Sequence, residues 1–277
     1  MSQKQPIRLG PTQETLLIPL FARAEESRRK RSILDDPKAA QMVQSIDWDF
    51  QRFNQRRRVL ACALRSAMFD EWIAGFLGRR PSGTVVEIGA GLNTRFERLD
   101  NNTVRWFDLD LPDTVELRRK FFRDSERRTT LCGSVLDSGW MDTIRQSPGP
   151  YFFVAEAVFV YLREPEVKAA LTQIAARFPG ALIALDTASL RAITGGNKDF
   201  VRRKMAARFD WACDDPRTIE GWNVGLRLLQ SRALTDVAGP LRSRLSWPER
   251  ASFRVFATLL PKLTRAYQLN LFEVARP

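Results

Sequence analysis

The chain carries at residues 84–91 the sequence Thr84-Val85-Val86-Glu87-Ile88-Gly89-Ala90-Gly91, an apolar run that ends in two glycines. Such a run predicts a buried strand, and the glycines allow backbone N–H groups to approach a ligand closely. A second run, Trp106-Phe107-Asp108-Leu109-Asp110, follows after one short helical stretch. An acidic side chain at the end of this next strand can bind both hydroxyls of a ribose. The two runs predict a nucleotide-cofactor cleft in which one of Asp108 and Asp110 holds the ribose.

The glycine run departs from the fingerprint of dinucleotide cofactors. That fingerprint needs a third glycine where the helix packs against the strand and clears the pyrophosphate, and this chain has Thr94 there. Glu87 before the first glycine and the missing third glycine suit S-adenosylmethionine (SAM), which carries a sulfonium and no phosphate. Gly89 and Gly91 would let the backbone approach this cofactor, and Glu87 would orient the loop or bind its amino group. The alternative interpretation is an ordinary strand-to-helix turn.

Strand-like and helix-like segments alternate along the chain, and this predicts an α/β fold with a mainly parallel sheet covered on both faces. The strand candidates are residues 84–88, 103–107, 128–132, 151–155, 181–186 and 266–274. The helix candidates are residues 54–77, 112–124, 164–178 and 199–209.

The segments on either side of this alternating region have their own expected roles. Residues 1–80 are too few to make an independent domain, so we expect an N-terminal helical cap over the cofactor cleft, with the core in 81–277. The insertion at about 187–250 contains Gly195-Gly196-Asn197 and Phe209-Asp210-Trp211. This composition suits a mobile lid that selects the substrate.

Composition narrows the class of protein further. The chain has 277 residues, 44% of them hydrophobic, which is enough for a substantial core. It has no histidine, and Cys62, Cys132 and Cys213 lack the spacing of a metal site. We expect reduced cysteines, no bound metal and a cytoplasmic location. The N-terminus has no signal-peptide pattern, and the longest apolar stretch, Tyr151 to Leu162, is too short to span a bilayer, so we expect no membrane partner.

The net charge of +12, from 44 Lys and Arg against 32 Asp and Glu, leaves anionic partners open. The basic residues are scattered over helix-like segments with interleaved acids, as is typical of solvated helix faces. No recognised RNA-binding module is present, and we expect no nucleic-acid partner. An RNA methyltransferase or accessory protein is the least favoured alternative, and it predicts an RNA affinity that falls steeply with salt.

Three polar side chains outside the glycine run are further candidates for the site. Glu156 interrupts an apolar run, where a carboxylate needs a partner, and a cationic cofactor could supply it; alternatively it marks the exposed end of a strand. Tyr161 could shape the methyl-transfer pocket or belong to the core. Arg65 could hold a carboxylate through its planar guanidinium, or form a surface ion pair with Asp70. Glu156 and Tyr161 are the catalytic candidates.

Together these motifs resemble the leucine carboxyl methyltransferase superfamily. The matching runs are Glu87–Arg95, Phe107–Pro112 and Ala155–Leu162, and Arg65 with Phe69-Asp70 matches the R-T-x-x-F-D element, with Ser66 in place of threonine. The N-terminal elements are more similar to its polyketide branch, the tetracenomycin-type carboxyl O-methyltransferases; they are Thr15–Arg23, Asp36-Pro37 and Asp47–Phe50.

The resemblance implies a class I SAM-dependent methyltransferase fold: a seven-stranded, mostly parallel sheet with an antiparallel last strand, an N-terminal helical cap and an inserted lid. It implies SAM as cofactor and S-adenosylhomocysteine as product. The implied contacts are Arg65 to the methionine carboxylate, Gly89 and Gly91 to its backbone side, Asp110 to the ribose, Ser134 and Val135 to the adenine, and Glu156 to the amino group. Two departures are Asn93, which replaces the usual aspartate, and Ser134, where several members place an acid.

The missing histidine bears on the reaction. Methyl transfer from a sulfonium is an in-line displacement that depends on alignment. A phenol, with a pKa of about 10, usually needs a base, whereas a carboxylic acid, with a pKa of about 4, is already ionised at neutral pH. We therefore expect methyl-ester formation on a small, aromatic or polyketide-like carboxylic acid. The alternative is hydroxyl O-methylation with Asp or Glu as base, and the oligomeric state stays open.

Overall fold

A seven-stranded sheet forms the centre of the protein, and the computed structural model describes residues 4–237 and 239–276. The strands are β1 (Thr84–Ile88), β2 (Arg105–Asp110), β3 (Arg128–Cys132), β4 (Tyr151–Ala155), β5 (Leu182–Ala188), β6 (Leu226–Ala233) and β7 (Tyr267–Val274). Their order in the sheet is β3-β2-β1-β4-β5-β7-β6. Strands β1 to β5 are parallel, and β7 is antiparallel to both β5 and β6. The predicted mostly parallel sheet with an antiparallel last strand is confirmed.

Helices surround the sheet and also fill the region before it. They are α1 (Leu17–Ser27), α2 (Pro37–Ser45), α3 (Arg56–Arg79), α4 (Arg95–Leu99), α5 (Pro112–Arg118), α6 (Gly139–Arg145), α7 (Glu164–Arg177), α8 (Leu190–Arg202), α9 (Gly239–Arg244), α10 (Trp247–Leu259) and α11 (Pro261–Thr264). Short 3-10 helices span Gln13–Leu16, Phe50–Phe53, Phe159–Tyr161 and Pro216–Trp222. Within the described ranges no helix combines the length and apolarity needed to cross a bilayer.

Alternation along the buried strands supplies both faces of the sheet with apolar side chains. On one face Val86 and Phe153 pack in a cluster with Ile174 of α7. On the other face Val85 and Phe152 pack in a cluster with residues of α3. A third cluster joins α1 and α2 to Leu92 of the glycine turn, so the N-terminal helices rest on the edge of the sheet where β1 ends.

The insertion after β5 differs from its predicted form. The helix predicted over 199–209 lies earlier, at Leu190–Arg202, because the Ser189 side chain caps it by accepting a hydrogen bond from the Ala192 N–H at 3.2 Å. Gly195 and Gly196 are therefore helical. Part of the insertion, Leu226–Ala233, is strand β6 of the central sheet. The adjacent Leu228 and Leu229, where the pairing register shifts, break the alternation of apolar and polar side chains that marks a strand in a sequence.

Candidate cofactor and acceptor site

A cavity of about 350 Å³ lies where the parallel strands β1 to β4 end. Its floor comprises the glycine turn after β1 and the residues that follow β2, β3 and β4. Its other walls come from the N-terminal segment 12–23, from α3, from α8 and from Phe209. Open α/β sheets bind ligands at the carboxyl ends of their strands, and this cavity has that position.

The two glycines of the turn have backbone conformations that side chains disfavour. Gly89 has φ of 63° and Gly91 has φ of 50°. A Cβ on Gly89 would lie 2.5 Å from Cγ2 of Val158, so a side chain there would collide with the loop after β4. The N–H groups of Gly89 and Ala90 donate to the Leu109 carbonyl at 2.8 and 3.1 Å, which fixes the turn to β2.

Asp110 lies at the end of β2 and lines the cavity. One carboxylate oxygen accepts from the Gly91 N–H at 2.6 Å and the other from the Leu111 N–H at 2.7 Å. Burial raises the pKa of Asp110, while these two backbone N–H groups act to lower it. Each oxygen keeps a further lone pair, which suits the acceptance of hydrogen bonds from a ribose.

Asp108, the other candidate for the ribose, is not brought to the cavity. Its carboxylate is 1% exposed and forms ion pairs with Arg118 at 2.8 Å and Arg128 at 2.7 Å. Arg118 also donates to the carbonyl of Gly91 at 2.7 Å. Asp108 therefore supports the glycine turn from behind through Arg118, and this corrects its assignment as a cofactor contact.

Glu156 is held by two arginines of the chain itself. Its Oε1 accepts from Arg65 Nε and from Ser66 Oγ, both at 2.8 Å, and its Oε2 accepts from Arg95 Nη2 at 2.5 Å. Burial would raise the pKa of Glu156, but Arg65 and Arg95 outweigh it and lower the pKa to about 2. Glu156 is thus buried, ionised and partnered, and the interpretation as an exposed strand end is wrong.

Arg65 lines the cavity beside Glu156. Its Nη1 donates to the Tyr267 hydroxyl at 3.3 Å. The alternative ion pair of Arg65 with Asp70 is wrong, because Asp70 binds Arg95 at 2.6 Å and Arg98 at 2.9 Å. The role of Arg65 toward a methionine carboxylate stays a prediction that this position permits.

Glu87 provides a test of whether the site suits a cationic cofactor. Its Oε1 accepts from Arg95, whereas its Oε2 is buried without a hydrogen-bond partner in the part of the chain that the structure describes. Burial raises the pKa of Glu87 to about 7, against the opposing charge of Arg95. Because Glu87 lines the cavity, an unpaired carboxylate oxygen there suits a positively charged group, as SAM provides through its ammonium and sulfonium.

Ser134 and Val135 lie after β3, and Tyr161 follows β4; all three line the cavity. Val135 offers an apolar side chain, while the Ser134 hydroxyl accepts from the Leu136 N–H at 3.1 Å and keeps its own proton to donate. The Tyr161 hydroxyl donates to Thr15 Oγ1 at 3.0 Å. Burial raises the pKa of Tyr161 to about 12, so it is neutral at physiological pH and poorly suited to act as a base.

Sequence reasoning missed a charged cluster on the α8 wall. Asp199 accepts from Arg58 Nη2 at 2.5 Å, from Arg203 Nε at 2.9 Å and from Arg202. Burial would raise the pKa of Asp199, but the three arginines lower it to about 2. Arg58 and Asp199 both line the cavity. No sequence pattern marks the pairing of Arg58 with Asp199, because the two residues are 141 positions apart.

The sheet order, the glycine turn and the acid at the end of β2 define a class I SAM-dependent methyltransferase. The sequence profile of the leucine carboxyl methyltransferase family matches residues 17–175, more than half of the chain. The chain belongs to this family. The resemblance inferred from the motifs, the fold and the cofactor SAM are thereby confirmed.

Two characterised relatives cover most of the chain. The tetracenomycin polyketide synthesis O-methyltransferase TcmP of Streptomyces glaucescens is 30% identical over 84% of this chain and 86% of its own length. The S-adenosyl-L-methionine-dependent methyltransferase dpfgK of Gibberella zeae is 27% identical over 81% of this chain and 83% of its own. Both names agree with the methyltransferase class, and the first agrees with the polyketide branch.

A solved structure supports the fold independently. A DUF574 family protein from Streptomyces avermitilis superposes with a TM-score of 0.57, covering 94% of this chain and 97% of its own, at 11% sequence identity. At this identity the likeness concerns the fold alone.

Proposed function

We propose that this methyltransferase forms a methyl ester on the carboxylate of a small aromatic or polyketide-like acid. SAM, when bound, supplies an electrophilic methyl group on its sulfonium. The chain's own task is to hold the acceptor oxygen in line with that methyl group and to exclude water. The relative TcmP is named as an O-methyltransferase of polyketide synthesis, which supports an oxygen acceptor of this chemical kind.

The observation that carries the proposal is the scarcity of a free base on the described walls of the cavity. The sequence has no histidine. Arginines hold Glu156 and Asp199 and lower the pKa of each carboxyl group to about 2, so both are weak bases. The pKa of Tyr161 is about 12, so its hydroxyl keeps its proton at neutral pH. A phenol or alcohol acceptor would need such a base, whereas a carboxylic acid is ionised without one.

The remaining acids on these walls are poorly suited to the same task. Asp110 is held by two backbone N–H groups at the end of β2. Glu87 has a pKa of about 7, which suits a base, but Arg95 occupies one of its oxygens, and it lies in β1 two positions before the first glycine of the turn. Its position favours contact with the cofactor over contact with the acceptor. These observations support a carboxylate acceptor over a hydroxyl acceptor.

The helical N-terminus and the insertion are the proposed cap and lid. Residues 12–23 line the cavity from the N-terminal side, and Gly196, Asp199, Phe200 and Phe209 line it from the insertion. The ring of Phe209 lies 4.9 Å from that of Tyr161 and 4.8 Å from that of Phe200. These tilted aromatic rings offer apolar faces and edges to a planar aromatic acceptor, and the insertion is therefore the proposed determinant of substrate choice.

The experiment uses SAM labelled in its methyl group and matched acceptors. Each pair consists of an aromatic carboxylic acid and the corresponding phenol or benzyl alcohol, incubated with wild-type protein and with Asp110→Ala. We expect the wild-type protein to convert the acids into labelled esters, from which mild alkali releases the label as methanol. Asp110→Ala should form no labelled product. Label that appears from the hydroxyl compounds and resists alkali would overturn the proposal in favour of an ether-forming enzyme.

A further inference from the structure

The cluster around Asp199 carries more positive than negative charge. Three guanidinium groups, those of Arg58, Arg202 and Arg203, share this one carboxylate. Two of them also pack over the ring of Phe53, Arg203 at 5.0 Å and Arg58 at 5.6 Å from its centroid. One carboxylate cannot neutralise three cations, so this wall of the cavity attracts anions.

Among these three arginines, Arg58 is the one that the described cavity wall includes. Its side chain is 25% exposed. One terminal nitrogen donates to Asp199, while Nε is buried and has no hydrogen-bond partner within residues 4–237 and 239–276. The other terminal nitrogen, Nη1, makes no hydrogen bond within the described residues and is not shielded from solvent, so it can donate to an anionic acceptor in the cavity.

The other arginines on the cavity wall are more fully occupied. Arg23 donates to Asp36 at 2.9 Å and to the Leu92 carbonyl at 2.7 Å, and its side chain is 3% exposed. Arg65 donates to Glu156 and to Tyr267, with a side chain that is 13% exposed. Arg58 therefore has the most solvent access and the fewest partners of the three.

We propose that Arg58 binds the carboxylate of the acceptor, with Asp199 holding the guanidinium in place and the rings of Phe200 and Phe209 contacting the body of the acid. The inference rests on the proposed function and names the residue that recognises its substrate class. A guanidinium can donate two parallel hydrogen bonds to a carboxylate, so it orients one oxygen as well as attracting the charge. No proton has to move, because the acid arrives ionised.

The test compares Arg58→Gln and Arg58→Lys with the matched control Arg202→Gln. Arg202→Gln removes a cation from the same Asp199, but Arg202 is absent from the described cavity wall. We expect Arg58→Gln to raise KM for the aromatic acid about 10- to 100-fold, the loss that a charge-assisted hydrogen bond brings. Arg58→Lys should raise it less, and Arg202→Gln, which lowers the net charge of the cluster but leaves the contact from Arg58 in place, should raise it by no more than about three-fold. The Kd of SAM, measured by calorimetry, should stay within about two-fold in all three.

A second measurement separates recognition of charge from a general structural effect. The primary amide of the same acid is neutral, and its inhibition constant is compared with the KM of the acid in each protein. The wild type should prefer the acid strongly, and Arg58→Gln should lose that preference. Should Arg58→Gln fail to fold, Arg58→Lys carries the same comparison with a smaller loss.

The outcomes distinguish the two levels of the proposal. If wild-type protein methylates no acid and yields only alkali-stable product, the proposed function fails and the role of Arg58 fails with it. If esters form but Arg58→Gln and Arg202→Gln have equal KM values and equal acid-to-amide preference, the role of Arg58 is overturned while the proposed function stands.

Discussion

Arg95 is a fully buried cation that pairs with three carboxylates, and Arg95→Gln tests how much this cluster stabilises the fold. The side chain is 0% exposed and donates to Asp70, Glu87 and Glu156. Removing one partner of a buried ion pair costs about 3–5 kcal/mol, because it leaves the other charge buried and uncompensated. We therefore expect the free energy of unfolding at about pH 8 to fall by about 3–5 kcal/mol, measured by urea denaturation.

The pKa of Glu156 supports a loss of this magnitude. The pKa of Glu156 lies at about 2 against an ordinary 4.5, with Arg65 and Arg95 as the largest charges opposing its burial. A shift of one pKa unit corresponds to about 1.4 kcal/mol, so the two arginines stabilise the charge of Glu156 by an amount on the order of the expected loss, and Arg95 is one of the two. The remainder of the loss comes from Glu87 and Asp70, which lose the same partner.

The pH dependence of the loss follows from Glu87. Its folded pKa, about 7, already exceeds the ordinary value of 4.5, so the folded state binds the extra proton and loses stability as the pH rises through this window. Without Arg95 the folded pKa rises further and the window extends upward. The loss in Arg95→Gln should thus be about 1 kcal/mol larger at about pH 8 than at about pH 5.5.

Arg98→Gln is the matched control for this measurement. Arg98 binds the same Asp70 at 2.9 Å and Thr94 Oγ1 at 2.6 Å but contacts neither glutamate. It should cost about 1–2 kcal/mol, equally at both pH values. A loss below about 1 kcal/mol in Arg95→Gln, or one that does not change with pH, would refute the reasoning about the buried cluster.

The proposed cofactor contacts and the hydroxyl of Tyr161 give three more measurable outcomes. Asp110→Ala and Gly91→Val should each weaken SAM binding by about 100-fold or more in calorimetry. The first removes the acceptor of the ribose hydrogen bonds, and the second places a side chain at a φ of 50°. Near wild-type affinity in both variants would contradict the assignment of the cleft. The affinity for SAM should fall as the pH drops through about 7, because protonated Glu87 no longer attracts the cation; Glu87→Gln should abolish this dependence, and a persisting slope would exclude Glu87 as its origin. Tyr161→Phe should keep kcat within about three-fold and lower the free energy of unfolding by about 1 kcal/mol, because it removes the hydrogen bond to Thr15. A kcat about 100-fold lower would instead show that the hydroxyl takes part in methyl transfer.

The sequence predicted the parts of the protein that local pattern determines. The run that ends at Gly91 gave the first strand and its turn within its true bounds, because buried strands and glycine turns leave a direct mark on composition. The strand predicted over 103–107 begins later, at Arg105, and runs on to Asp110, since the apolar pattern alone did not mark the acidic end. Strand β6, at the sheet edge, was not predicted because its apolar side chains do not alternate regularly with polar ones.

Side-chain pairing was beyond the reach of the sequence. Asp108 and Asp110 are equivalent in local pattern, and only the arrival of Arg118 and Arg128 from distant segments assigns Asp108 to the protein interior. Glu156 was expected to need a partner, but the pattern could not tell a cofactor from the chain's own arginines. Such choices depend on contacts between residues far apart in sequence, so they follow from the fold.

The N-terminal motifs acquire a physical meaning from these contacts. Asp36 caps helix α2 by accepting from the Ala39 N–H at 2.9 Å, and it also accepts from Arg23 at 2.9 Å and from the Thr94 hydroxyl at 2.5 Å. Arg23 in turn donates to the Leu92 carbonyl of the glycine turn. Helix α1, which lines the cavity, and helix α2 are therefore hydrogen-bonded to the glycine turn. Because one buried carboxylate joins α1, α2 and the turn, displacement of the N-terminal helices would disturb the cofactor side of the cavity as well as the acceptor side.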